Sequence, residues 1–296
     1  MLNKIKSYMM PIAMITGIVF HQYMDGLAFL TPYLIAMMLL ITYCNISIKS
    51  IRFSRLHIIL LAIQICASVL IYFLLLPVNH ILAQAAMVCV FAPTATSAPV
   101  ITGMLGGNVE SLTAYSLLSN MAVVVVAPLM FAMVGEVEAS SFTDSLWVVF
   151  QRVFVLLFVP LIGAILLKKL LPRVHYEIQK RKSISFYLWS IALTIITGKT
   201  VQFIIDQEDP KFIVEISIAV VSFIICISQF LTGRAIGRRY DNTIAGGQGL
   251  GQKNTVLAIW MAQTFLNPIS SIGPGAYVLW QNIVNSYQVW RKRKQL

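Results

Sequence analysis

Charged side chains are scarce in this chain. Lys, Arg, Asp and Glu make up 11% of its 296 residues, against roughly 25% in a soluble domain. That leaves too few charges to coat a globule of this size, so a soluble fold is excluded. Cysteine is scarce too. Cys44, Cys66, Cys89 and Cys226 are scattered through apolar runs, with no pair at metal-ligand spacing, and the paired pattern of secreted disulfide scaffolds is absent. The four histidines are equally dispersed, and packing or interface roles account for them. No P-loop occurs, which argues against ATP coupling within this chain.

Apolar residues are what the chain has in excess. They reach 58%, with a mean hydropathy of +0.81. Disordered chains are poor in large apolar residues, so disorder is excluded as well, and lipid is left as the solvent. A bilayer core requires about 20 mostly apolar residues per helix. Ten such runs can be read, at about 6–23, 27–45, 56–76, 79–105, 109–134, 146–168, 184–205, 211–233, 242–266 and 273–290. Little is left for a soluble domain. Lys4 and Lys6 precede the first run as in a signal peptide, but no small-x-small cleavage site follows, so a retained first helix is expected.

The formal net charge of +11 could suggest a nucleic-acid partner, but the position of the charges suggests otherwise. Of the 22 Lys and Arg residues, 18 fall at the amino end, in the loops after runs two, six and eight, and in the tail. They include Lys49, Arg52 and Arg55, Lys168 to Lys182, Arg234 to Arg239, and Arg291 to Lys294. The intervening loops are acidic: Asp25; Glu136, Glu138 and Asp144; Asp206, Glu208 and Asp209. With ten spans all the basic segments share one side. The positive-inside rule makes that side the cytoplasm, with both termini there and the protein in the cell membrane. Membrane topology accounts for the basic loops without nucleic acid.

Runs four and nine are interrupted. In the fourth, Pro93-Thr94-Ala95-Thr96-Ser97-Ala98-Pro99 cannot continue a regular helix, because each proline removes a donor and crowds the preceding turn. In the ninth, Gly246, Gly247, Gly249 and Gly251 favour unwinding. Unwound backbone at membrane depth is tolerated only where protein or a wet cavity satisfies it. The fourth and ninth of ten are equivalent positions of two five-helix halves, which would be inverted relative to each other. Paired interruptions of that kind point to a transporter binding site. Half-helices following the breaks are expected to present free N–H groups and positive dipole ends to a carboxylate or other small anion. Thr96, Ser97 and Thr102 would add hydroxyls and Asn254 an amide. Lys253 lies inside the second break, away from either rim, where a charge usually faces a cavity. Lys199 is expected to lie near Asp206 and the outer surface and to snorkel.

At these segments the chain resembles the bile acid:sodium symporter family. Pro93 through Asn108 is similar to that family's Pro-Gly-Gly-Thr-Ala-Ser-Asn-Val-Met-Thr stretch, which runs into a Gly-Asp or Gly-Asn turn. Gly251-Gln252-Lys253-Asn254-Thr255-Val256-Leu257-Ala258 is similar to Gly-Met-Gln-Asn-Ser-Gly-Leu-Ala. Trp280-Gln281-Asn282-Ile283-Val284-Asn285-Ser286 is similar to Trp-His-Asn-x-x-Gly-Ser, and Gln64 matches a glutamine of the third helix. The resemblance implies an all-α membrane protein of ten helices in two inverted repeats, with discontinuous helices four and nine. It further implies a panel domain at 1–48 and 139–210, and a core domain at 49–138 and 211–296. Substrate would bind between the two and be exposed alternately to each side. Thr96, Gln281 and Asn282 would lie at substrate-contacting positions.

The family's sodium ligands are replaced. A Ser-Asn pair after the first break reads Ala98-Pro99, and a Glu and a Gln of the second break read Gly249 and Lys253. A hydroxyl position on helix five reads Leu112, although Ser116 keeps one. Sodium requires several oxygen ligands, as hard cations do. An ammonium about 4 Å from it would cost about 4 kcal/mol at an effective dielectric of 20. These changes argue against sodium coupling and suggest Lys253 as a fixed stand-in for the ion, with proton coupling through Lys253 the less supported alternative. Gln64, Gln248, Gln252 and Ser116 complete the candidate ion-site or surrogate-cation set. No cofactor or metal is expected, and no activity as an enzyme, because clustered intramembrane acids and histidines are lacking. The expected function is secondary transport of a small organic anion across the bilayer. An intramembrane enzyme and a non-transporting receptor are the alternatives, and a channel would require a continuous polar pore. The particular anion, the transport direction and the oligomeric state stay open at this level.

Overall fold

The structure is a computed structural model that describes residues 2–45, 52–135, 141–181, 183–206 and 212–294. Lys49, Glu136, Glu138, Lys182, Glu208 and Asp209, counted in the charge partition, lie outside the described residues. The described residues are helical apart from short connections and a single antiparallel bridge between Thr94 and Lys253. The helices are α1 (Leu2–Val19), α2 (His21–Leu27), α3 (Thr31–Cys44), α4 (Arg55–Leu75), α5 (His80–Phe91), α6 (Ala98–Met104) and α7 (Val109–Val134). They continue as α8 (Phe142–Leu170), α9 (Pro172–Lys180), α10 (Ser183–Ile205), α11 (Phe212–Arg238), α12 (Thr243–Gly251), α13 (Thr255–Phe265) and α14 (Ile272–Arg293).

Among the described residues, six helical segments are long and apolar enough to cross a membrane: His21–Cys44, Arg55–Leu75, Val109–Val134, Phe142–Leu170, Ile184–Ile205 and Phe212–Arg238. They are apolar around most of their circumference, as membrane helices are, and exposed side chains such as Val125, Leu70 and Ile213 face outward for lipid. The protein spans the membrane. Asparagine marks several helix starts. The Oδ1 atoms of Asn79, Asn108 and Asn254 accept from the backbone N–H of Leu82, Ser111 and Leu257, opening α5, α7 and α13. Each removes one of the donors a helix start leaves unpaired.

The chain divides into two compact units. Unit 1 comprises Met1–Ile46 and Trp147–Pro210, and unit 2 comprises Ser47–Leu146 and Lys211–Leu296. In unit 1, α10 packs along α1, α2 and α3. Gly17 and Gly198 let α1 and α10 touch, since a Cβ on either would overlap backbone of the other helix. The Lys199 ammonium lies 3.7 Å from the Asp25 carboxylate. Asp206 accepts from Gln202 Nε2 at 2.7 Å, and Gln202 Oε1 accepts from His21 Nδ1 at 2.6 Å. Asp206 lies about two turns further along, at the end of α10, whereas Asp25 is brought to Lys199 by the packing of α10 on α2.

In unit 2 the closest partners are α11 and α12. The sequence leads one to expect an unwound glycine run, yet Gly246 through Gly251 are helical and the interruption is confined to residues 252–254. The glycines serve close approach instead. A Cβ on Gly246 would overlap the Gly233 carbonyl oxygen, and one on Gly251 would overlap the Phe230 ring. Small residues that let backbones touch are a common way for helices to associate in lipid.

Candidate functional site

Both interruptions lie in unit 2 and meet as a two-residue antiparallel bridge. The Ala95 N–H donates to the Gln252 carbonyl at 2.9 Å and the Asn254 N–H donates to the Pro93 carbonyl at 2.8 Å. The first break arises from Pro93 and Pro99, and the extended backbone begins at Ala92. Each broken stretch thus satisfies part of the other, which is how non-helical backbone survives at this depth.

The carbonyls freed at the end of α5 are each matched. The Val88 oxygen accepts from the Ala92 N–H at 2.9 Å. The Cys89 oxygen accepts from Gln229 Nε2 at 3.2 Å, and the Val90 oxygen from Lys253 Nζ at 2.7 Å. Gln64 Nε2 donates to the Phe91 and Ala92 oxygens at 2.7 and 3.2 Å. At the end of α12, the Gly249 oxygen accepts from Thr94 Oγ1 at 2.8 Å and the Gly251 oxygen from the Tyr277 hydroxyl at 2.9 Å. Gln281 clamps the Lys253 peptide from α14, accepting from its N–H at 2.8 Å and donating to its carbonyl at 3.3 Å.

Lys253 is the electrostatic centre. It is 1% exposed, and no carboxylate lies within ion-pair distance of it among the described residues. The negative ends of two helix dipoles, those of α5 and α12, meet at this crossing, and a cation there is favoured. A buried charge costs several kcal/mol unless such partners offset it.

The remaining candidates divide by surroundings. Gln64 is fully engaged: its Oε1 accepts from the Tyr115 hydroxyl at 2.8 Å and from Ser119 Oγ at 2.9 Å. Ser97 is exposed and accepts from Gln252 Nε2 at 3.0 Å, while Thr96 beside it is half-buried. The Oε1 atoms of Gln252 and Gln248 and the hydroxyl of Thr102 are buried without a hydrogen-bond partner. Gln248 donates to Asn285 at 2.9 Å. Ser116 is buried on α7, and Asn282 is half-buried and donates to the Val278 carbonyl of its own helix at 2.6 Å. Crossing and clamp therefore bring together Lys253, Gln281, Gln64, Gln252, Ser97 and Asn254. The side chains of Thr102, Ser116, Gln248 and Asn282 make no hydrogen bond to that set among the described residues.

Contrary to the sequence expectation, most of the N–H groups that begin α6 and α13 are taken. The Ala98, Val100 and Ile101 donors are taken by the Ala95 and Ser97 carbonyls. At α13, Thr255 and Ala258 donate to backbone carbonyls and Leu257 to the Asn254 side chain. Pro99 has no N–H to offer. A polar loop that turns on its own oxygens takes up most of the donors a ligand would need.

The replaced positions have an apolar setting. Ala98 and Leu112 are fully buried and belong with Ala95 and Ala245 to one hydrophobic cluster, and a Cβ on Gly249 would meet the Tyr115 ring. Sequence reasoning passed over five residues that hold the crossing: Thr94, Tyr115, Ser119, Gln229 and Tyr277. The available signal was their polarity within otherwise apolar runs.

Fold and crossing together define a class: an α-helical membrane protein built around two interrupted helices that pair at their breaks. Residues 30–279 match the model of the SBF-like CPA transporter family. The chain belongs to this family, which is related to the bile acid:sodium symporters. No curated protein matches the chain.

Proposed function

We propose that the protein is a secondary transporter that moves a small organic anion by alternating access, without coupling to sodium. The single observation behind this reading is Lys253 Nζ on the Val90 carbonyl at 2.7 Å, buried where two helix ends meet. A fixed ammonium at a convergence of carbonyls does what a bound alkali ion would do: it neutralises two negative helix ends and ties the broken segments together. The apolar cluster around Ala98 and Leu112 supports the same reading, because it offers none of the side-chain oxygens a sodium ion requires.

In this account ten spans form two inverted repeats with cytoplasmic termini. Unit 2 acts as the core, carrying the crossed helices, and unit 1 as the panel. The anion is held near Thr96, Ser97, Asn254 and Asn282. The donors are side-chain hydroxyls and amides, since most of the half-helix N–H groups are occupied, and Lys253 supplies a positive field from behind. The buried, unpartnered hydroxyl of Thr102 adds a donor with a bond still to make.

A thermal-shift screen of purified protein against small carboxylates, with sodium or choline as counter-ion, tests ligand class and ion dependence together. Stabilisation by a carboxylate that is unchanged by sodium supports the reading, and stabilisation only with sodium refutes it. Uptake of the hit into proteoliposomes separates transporter from receptor, since a receptor binds without flux.

A further inference from the structure

Away from the crossing, unit 2 has a groove of about 620 Å³ between α11 and α14. Its walls are apolar over most of their length: Phe223, Ile227 and Leu231 from α11, and Trp280, Ile283 and Val284 from α14. At one end the lining changes to Arg234, Arg291 and Lys292, and no Asp or Glu lines the groove anywhere. Helical register produces this. Positions 223, 227, 231 and 234 of α11, and 280, 284, 287 and 291 of α14, follow three- and four-residue steps along one face. Each apolar stripe therefore runs into a cation. Arg234 Nη1 also donates to Gln288 Oε1 of α14 at 3.4 Å, which holds the two basic ends together.

We propose that this groove seats an anionic phospholipid, with its phosphate on Arg234, Arg291 and Lys292 and an acyl chain along the apolar stripe. Three cations with no Asp or Glu among the described lining residues match an anionic headgroup better than a zwitterionic one. The long apolar wall matches a hydrocarbon chain and gives a free anion nothing to bind. The outer lip is open to lipid, because Leu231 and Ile283 are exposed. The groove is also separate from the proposed substrate face. At about 100° per residue, Asn282 stands roughly opposite Trp280, Val284 and Arg291 around α14. Basic pockets between membrane helices at the charged interface are the usual way a protein selects anionic headgroups. Each such cation is worth about fivefold in affinity, so losing three weakens binding on the order of a hundredfold.

The test is a titration of the full protein in neutral detergent with dioleoylphosphatidylglycerol, dioleoylphosphatidylcholine or inorganic phosphate, read by thermal midpoint. Phosphatidylglycerol alone should raise the midpoint saturably. The R234Q/R291Q/K292Q variant should lose that response, and the charge-matched R55Q/R238Q/R239Q variant should keep it. A second readout does not depend on the triple variant folding. In nanodiscs, brominated phosphatidylglycerol should quench more fluorescence than brominated phosphatidylcholine at the same mole fraction, and the difference should vanish in Trp280→Phe. Equal stabilisation by inorganic phosphate, equal loss in both triple variants, or equal quenching by the two lipids would overturn the proposal.

Discussion

Replacing Gln64 by leucine removes four hydrogen bonds from the crossing at nearly constant volume. In the native protein its amide donates to the Phe91 and Ala92 carbonyls and accepts from Tyr115 and Ser119, and the side chain is 1% exposed. A buried polar group left unpaired costs about 1–3 kcal/mol. The two hydroxyls can rotate toward other acceptors, but the two carbonyls are fixed at the end of α5. Their loss alone sets a cost of about 2–6 kcal/mol. A destabilisation of 1 kcal/mol lowers the melting midpoint by about 2–4 °C in proteins of 150–250 residues. Gln64→Leu should therefore melt at least about 4 °C below wild type in the same detergent. Tyr115→Phe gives the companion measurement: the double variant should be less destabilised than the sum of the singles by at least about 0.5 kcal/mol, since both remove one shared bond. A Gln64→Leu midpoint within 1 °C of wild type, or strict additivity with Tyr115→Phe, would refute the idea that Gln64 secures the first break.

Three further outcomes follow from the same geometry. Gly233→Ala places a methyl group on the Gly246 carbonyl and should cost about 1–3 kcal/mol or prevent folding; Gly275→Ala, with nothing within 4 Å, should raise the midpoint through an unfolded-state gain of about 0.4–1 kcal/mol, and size-exclusion and melting profiles compare the two. Thr94→Val leaves the Gly249 carbonyl without its 2.8 Å donor and should cost about 1–3 kcal/mol, more than the substitution Gln22→Ala at an exposed position of α2 in the same melting assay. Lys253→Gln retains an N–H for the Val90 carbonyl while removing the charge, so anion affinity should fall more than thermal stability; calorimetric affinity equal to wild type would show that the charge plays no part in binding.

Much of the site was legible because proline chemistry is local. Pro93 and Pro99, six positions apart with hydroxyl residues between them, disfavour a continuous helix, and the first interruption is found at residues 92–97. Long apolar runs were equally readable, since lipid burial depends on composition, and six of them, among the described residues, are helices long enough to cross a membrane. The second break was placed too broadly, because glycine has two uses that one sequence cannot separate. It permits unwinding, and it permits contact, and at Gly246 and Gly251 contact with α11 decides. The carbonyl partners were beyond reach for a different reason. Gln64 and Phe91 are 27 positions apart, and Lys253 and Val90 are 163 apart. Nothing in the local pattern of either segment says which polar side chain will meet which freed oxygen. The same distance in sequence hid Asp25 from Lys199.

Substrate-driven uptake into proteoliposomes, measured with equal sodium on both sides and then with an inward sodium gradient, tests the central claim most directly. With Lys253 in the ion's place, the initial rate for the carboxylate found by thermal shift is the same in both conditions. A rate that rises several-fold with the gradient, and collapses when sodium is replaced by choline, would contradict it.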